Sequence, residues 1–204
     1  MGSLVTEFES KYWAEDKTVV GIDEAGRGPM AGPCVVCGVV FPIGFDNELI
    51  NDSKKLSAKR RLELVDIIKE NALWYQVEII EPEAIDHDNI YRATQKGMER
   101  IASAAPCDAV LTDAMPLIDA PKPFEAIIKG DARSLSIAAA SILAKTIRDQ
   151  IMIELDIIFP QYGFKNHKGY GTKQHKEAIL KYGRSPVHRE SFRFKDEDQI
   201  SLDI

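Results

Sequence analysis

Val19-Val20-Gly21-Ile22-Asp23-Glu24-Ala25-Gly26-Arg27-Gly28-Pro29 decides how this chain folds and where its chemistry lies. The apolar run from Val19 to Ile22 predicts a buried strand. It ends at two adjacent carboxylates, and a Gly-Arg-Gly turn follows at once. Carboxylates at the end of a buried strand are costly unless something pairs with them, and a hard divalent cation with oxygen ligands is one such partner. Glycines let backbone N–H groups approach a ligand closely, and Arg27 between them offers a fixed fork of donors suited to phosphate. Acids that bind metal beside a turn that reads phosphate point to chemistry on a phosphodiester.

Working outward, Pro33 to Phe41 reads as a second strand, and the short intervening turn predicts an antiparallel pair. A helix is expected over Ser57–Asn71, with Ser57 as N-cap and Leu62, Val65 and Ile68 along its inner side. Leu73–Ile80 is a third strand, and Pro82–His87 and Ile90–Ala104 are helical. Ala109–Asp113 and Phe124–Lys129 are further strands. An Ala-rich helix runs from Ser134 to about Phe159, stopped by Pro160, and Thr172–Tyr182 forms another, ended by Gly183. The fold class expected is α/β: a mixed five-stranded sheet flanked by helices, with a C-terminal helical subdomain. The expected divisions are a lead-in over 1–17, a catalytic domain over 18–160, a basic substrate-binding subdomain over 161–195 and a tail over 196–204.

Four acids recur at one kind of place. Asp23 and Glu24 end the first strand, Asp113 ends the fourth, and Asp131 follows the fifth. Parallel strands would bring all four to one edge of the sheet. Like charges at short range cannot all stay ionised without a cation between them, and a carboxylate set suits Mg²⁺ or Mn²⁺. A strand-end Asp taken singly reads as a helix N-cap. Asp149 competes for the fourth place, but Lys145 stands four residues before it and an ion pair accounts for it.

The 204 residues carry a net charge of −6, yet the basic residues are not spread evenly. Residues 163–195 hold nine Lys or Arg against two acids, a local +7 that leaves −13 for the rest. A basic surface beside an acidic body is what a polyanion site needs. Tyr162, Phe164, Tyr170, Phe192 and Phe194 interleave with those cations, the composition of a base-stacking surface. Lys54 and Lys55, in a loop before a helix, are further candidates for phosphate contact, and Lys168-Gly-Tyr-Gly-Thr172 presents Tyr170 between glycines. Cys34 and Cys37 lie three apart on a predicted strand and so point to opposite faces, which makes them fillers rather than a metal or redox pair. No apolar run approaches the roughly 20 residues a membrane helix needs, and the N-terminus lacks the order of a signal peptide, so a cytoplasmic protein is expected.

Five segments in order resemble the ribonuclease HII family, the type 2 ribonucleases H. They are Gly21-Ile-Asp-Glu-Ala-Gly-Arg-Gly-Pro29, Asp52-Ser-Lys-Lys-Leu56, Ala139-Ala-Ser-Ile-Leu-Ala-Lys145, Lys168-Gly-Tyr-Gly-Thr172 and Ser185-Pro-Val-His-Arg-Glu-Ser-Phe192. The resemblance implies a ribonuclease H-like fold and metal-dependent cutting of RNA paired with DNA, including 5′ to a single ribonucleotide in duplex DNA. It implies that Asp23, Glu24, Asp113 and Asp131 hold the ions and that Gly26-Arg27-Gly28 reads the 2′-hydroxyl, with Tyr170 stacking near that sugar. Ser141, Lys145, His188 and Arg189 match positions near the substrate. In the family pattern a glycine follows the fourth-strand acid, whereas here Ala114 stands there. The tail Gln199-Ile-Ser-Leu-Asp-Ile204 weakly resembles peptides that hold the sliding clamp. A monomer is expected. Without the resemblance, two other readings stay open: a resolvase- or transposase-like DNA nuclease with the same acids, and a non-catalytic nucleic-acid-binding module.

Overall fold

The structure is a computed structural model that describes residues 6–51, 56–195 and 197. Lys54, Lys55 and the tail 199–204 lie outside the described residues. The chain runs α1 (Glu9–Trp13), β1 (Val19–Ala25), β2 (Cys34–Val40), α2 (Ala58–Asn71), β3 (Trp74–Ile80), α3 (Pro82–Asp88) and α4 (Ile90–Ala104). It continues through β4 (Ala109–Asp113), β5 (Phe124–Ile127), α5 (Leu135–Ile158), α6 (Phe164–His167) and α7 (Lys173–Tyr182). The five strands form one mixed sheet in the order β3-β2-β1-β4-β5. β2 pairs antiparallel with both neighbours, while β1, β4 and β5 run parallel. The acid-bearing ends of β1 and β4 therefore lie at the same edge.

β2 is buried along its whole length, which is why it reads as a continuous apolar run. Its alternate residues feed two cores. Val35, Cys37 and Val39 pack with α2 and α5 on one face, and Cys34, Val36 and Val40 pack with α4 on the other. The two thiols thus point to opposite faces, as expected, and burial pushes both above the ordinary range. In α2, Ser57 caps the helix by accepting from the Arg60 N–H at 3.2 Å. The inward residues are Leu64 and Ile68, while Leu62, expected on that side, is exposed. Leu62, Leu64, Val65, Ile67 and Ile68 give apolar side chains to most of the circumference, so the sequence alone leaves the phase of this helix open.

α5 lies directly on β1. A Cβ built at Gly21 would stand 2.2 Å from the backbone carbonyl carbon of Ser136, so only glycine admits this approach. The start of α5 is held from behind by α1. The buried Glu9 carboxylate accepts from Ser134 Oγ at 2.6 Å and from the Ser136 N–H at 2.9 Å, meeting donors that the first turn of a helix leaves open. α6 and α7 close a satellite core on the far part of α5, formed by Met30, Met152, Tyr162, Phe164 and Ile179. Two of the aromatics expected to stack on bases, Tyr162 and Phe164, are buried in this core, and Phe192 and Phe194 pack against it. Of the five, Tyr170 alone is exposed, at 46%. Among the described residues no helix is long and apolar enough to cross a membrane.

Ala114 follows Asp113 with φ at +53°, a left-handed conformation that costs an L-residue about 1–2 kcal/mol. The turn keeps it because the Ala114 N–H is bonded to Ile127 O at 3.0 Å, closing β4 onto β5. Ala114→Gly relieves this strain. It is expected to stabilise the protein by about 1 kcal/mol, raising the melting midpoint by roughly 2–4 °C in a thermal unfolding experiment.

Candidate active site

A cleft of about 340 Å³ opens at the shared edge of β1 and β4. Asp23, Glu24 and Asp113 line it from the sheet, and Gly26 lines it from the turn. Ser141, Lys145 and Arg148 line it from α5, one above another at i, i+4 and i+7, and Tyr170 closes it from the C-terminal side. The wall also includes Arg61 of α2. A larger depression of about 570 Å³ lies over α4, among Lys96, Glu99, Arg100 and Asp119. Three of those charges already have structural partners: Lys96 pairs with Asp88, Arg100 with Glu78, and Glu99 caps the N–H groups of Ile118 and Asp119.

Consecutive strand residues point to opposite faces. Asp23 turns toward α5, where Ser141 bonds it, and Glu24 turns toward Arg27, whose guanidinium stands 3.4 Å from its carboxylate. Asp113 accepts from the Gly130 N–H at 2.8 Å, which ties the end of β4 to the short turn Gly130–Ala132. Asp131 lies in that turn, is buried, and does not belong to the cleft lining. Burial raises the proton affinity of Asp23 well above the ordinary 3.8, and the neighbouring Glu24 and Asp113 raise it further, with Ser141 opposing them. An all-oxygen set whose members repel one another fits a hard divalent cation. Among the described residues no three His, Cys, Asp or Glu side chains are gathered into a finished ligand cage. The carboxylates line a common cleft, and an arriving ion would draw them together.

The turn itself rests on two buried arginines. Arg189 donates to Gly26 O at 2.6 Å, Arg27 O at 3.0 Å and Gly32 O at 2.8 Å. Arg148 donates to Pro33 O at 2.9 Å, Ala31 O at 3.2 Å and Lys168 O at 3.0 Å. Their partners are all carbonyls, so the turn's oxygens are held inward. Gly26 has φ at +97°, and a Cβ there would stand 2.0 Å from Arg148 Nε. Burial lowers the Arg189 pKa to about 10, which still leaves the side chain charged at neutral pH.

Sequence reading placed His188 and Arg189 at the substrate. Both side chains are buried, and their hydrogen bonds are spent inside the protein, so they build the site instead of touching what enters it. Arg148 and Arg61 were missed. For Arg148 a signal existed: it extends the Ser141–Lys145 stripe by one further turn of an otherwise apolar helix. Asp149 is paired with Lys145 at 2.7 Å, as expected, and also with Arg61 at 3.1 Å.

The family model described as Ribonuclease HII matches residues 20–195. The chain belongs to the ribonuclease HII family. It is 44% identical over 200 residues to the ribonuclease HII of Pelodictyon phaeoclathratiforme, a match covering 94% of this chain and 97% of that one. The fold is similar to that of the RNase HII in a PCNA:RNase HII complex from Archaeoglobus fulgidus, with TM-score 0.75 and 25% identity over 87% of this chain and 96% of that one. A Bst-RNase HIII solved in complex with Mn²⁺ shares the fold at TM-score 0.63 and 18% identity, over 91% of this chain and 70% of that one. As a ribonuclease HII, the protein is a hydrolytic ribonuclease of the ribonuclease H type, an endonuclease.

Because Asp23 binds its proton more tightly in the fold than in the unfolded chain, the metal-free protein loses stability as pH rises above the ordinary 3.8. Asp23→Asn removes that cost. In chelator at pH 7 it is expected to stabilise the protein by about 2 kcal/mol, roughly 4–8 °C in melting midpoint, while cutting is lost. A lower midpoint than wild type would show that the carboxylates do not repel as argued.

Proposed function

We propose that this ribonuclease HII cuts the RNA strand of RNA–DNA hybrids and cuts 5′ to single ribonucleotides embedded in duplex DNA, as a step in removing ribonucleotides during replication and repair. The observation that carries this reading is the sharing of one cleft by Asp23, Glu24, Asp113, the Gly26 turn and the ring of Tyr170. A DNA nuclease needs the acids but not a reader for a 2′-hydroxyl, the group that separates RNA from DNA.

Asp23, Glu24, Asp113 and Asp131 would hold Mg²⁺ or Mn²⁺. The Mn²⁺ bound by the Bst-RNase HIII of the same fold supports this class of ion. When bound, such ions lower the proton affinity of water and neutralise charge on the phosphate. Lys145 and Arg61 line the cleft wall and share Asp149 as their partner, and together they would offer the scissile phosphate a net positive charge. Gly26, Arg27 and Gly28, with the Gly26 and Arg27 carbonyls held inward by Arg189, would present backbone donors to the 2′-hydroxyl, and Tyr170 would pack on the same sugar. Water adds to phosphorus and the bond to the upstream 3′-oxygen breaks. The products are a 3′-hydroxyl on the upstream strand and a 5′-phosphate on the ribonucleotide. No side-chain nucleophile is required.

The acids belong to a catalytic domain over 18–160 and Tyr170 to a substrate-binding part over 161–195, and a monomer suffices because one chain supplies the whole cleft. A sliding clamp is a fitting partner, supported by the PCNA complex of the Archaeoglobus relative, with the tail 199–204 as the segment that would dock.

A labelled DNA duplex with one ribonucleotide, beside an all-DNA control, tests the reading in Mg²⁺, Mn²⁺ or chelator. Metal-dependent cutting 5′ to the ribonucleotide with the control intact is the expected result, and equal cutting of the control would refute it. Asp113→Asn is expected to lower turnover at least roughly a hundredfold while duplex binding survives.

A further inference from the structure

Tyr170 reaches the cleft from a loop with little of its own to hold it. Its ring is exposed, and nearby Gly28 has no side chain with which to grip it: a Cβ built there would stand 3.6 Å from the ring. Lys168 before it takes φ of +52°, a conformation an L-residue keeps only where the surroundings over-determine it, and Gly169 follows at +81°. The ring's position is therefore set through the loop's backbone. Gly169 O accepts from the Met30 N–H at 2.8 Å and Lys168 O from Arg148. The Tyr170 N–H donates to His167 O at 2.9 Å, and the Tyr170 carbonyl accepts from the Thr172 N–H at 2.8 Å and lies 3.0 Å from His175 Nδ1, the one side chain on it among the described residues.

That last bond is the end of a buried chain whose protons are assigned by its first member. Three Ser185 atoms meet His188 Nδ1: the N–H, which can only donate, at 2.9 Å, Oγ at 2.8 Å, and the carbonyl oxygen farther away at 3.3 Å; the closer N–H favours a lone pair on that nitrogen. The proton of a neutral His188 then sits on Nε2, 3.0 Å from His175 Nε2. His175 must accept there, which leaves its own proton on Nδ1, pointing at Tyr170 O. Burial lowers both imidazoles to a pKa of about 4, so both are neutral at pH 7. The far end of the chain is anchored as well: the residue after His188 is Arg189, which holds the carbonyls of Gly26 and Arg27.

We propose that His188 and His175 are positioning residues, a neutral two-imidazole relay that holds Tyr170 in register with the Gly26–Gly28 turn. Strap residues 185–189 then fix both halves of the ribonucleotide reader at once, the turn through Arg189 and the ring through His188. This inference rests on the proposed reading of Tyr170 as a sugar contact.

Two measurements test it. Long-range ¹H–¹⁵N spectra of histidine-labelled wild-type protein are expected to show His175 with its proton on Nδ1 and His188 with its proton on Nε2. The opposite tautomer at His175 overturns the relay. A kinetic cycle on the single-ribonucleotide duplex then compares His175→Phe, Tyr170→Ala and the double variant. His175→Phe is expected to lower kcat/KM roughly tenfold, with little further loss once Tyr170 is already Ala, because the histidine acts only through that ring. His175→Asn, which keeps an N–H near the Nδ1 position, is expected to recover most of the rate. Losses that multiply in the double variant, or no loss in His175→Phe, overturn the proposal. Should His175→Phe fail to fold, the tautomers and His175→Asn decide the question. If the wild-type chain leaves the single-ribonucleotide duplex uncut, the proposed substrate fails, and the tautomers alone decide whether the relay exists.

Discussion

The contact of α5 with β1 at Gly21 is the constraint on which the rest depends. With no side chain at that position, the helix backbone comes down onto the strand, and its Ser141–Lys145–Arg148 stripe is delivered to the strand's acidic end. Any side chain at Gly21 would lift the helix and part the two halves of the cleft. Glu9 and the N-cap Ser134 fix where α5 begins, and so fix its register along the strand. A buried carboxylate with a raised proton affinity is the cost of that anchorage, offset by the Ser134 and Ser136 hydrogen bonds.

Above the cleft the organising element is polar. Arg148 and Arg189 are among the largest fully buried side chains, and among the described residues their hydrogen bonds run to backbone carbonyls. A guanidinium has several donors in a rigid plane, so one side chain can hold several loops in a fixed relation. A buried charge with one partner missing would be costly. Saturated with carbonyls, it turns three irregular segments into one block without regular secondary structure.

The sheet, its mixed polarity and most helix limits were legible because each rests on local pattern: a continuous apolar run for β2, Ser57 as a cap, Pro160 and Gly183 as stops. The convergence of Asp23, Glu24 and Asp113 followed from parallel strands. The phase of α2 was not legible, because its apolar residues leave no single face. The burial of His188 and Arg189 was not legible either, for a different reason. A basic side chain that bonds to carbonyls distant in sequence has partners with no residue-type signature, so in the sequence it looks like a side chain awaiting phosphate. Aromatics among lysines mislead in the same way: Tyr162 and Phe164 build the local core on which the basic surface is mounted.

The strap that ties Gly26 and Arg27 to Arg189 spans more than 150 positions of sequence. During synthesis the N-terminal part of a chain emerges first and starts to fold first. β1 through β4 can therefore pair, and their acids gather, while the glycine turn still lacks the guanidinium that shapes it. Its carbonyls find their partners only after almost the whole chain has been made. Such a long-range closure is slow to form relative to local contacts. One bond thus sets an order on the ribosome: the strand ends bearing Asp23 and Asp113 can meet early, whereas the glycine turn takes its final shape only when Arg189 has emerged.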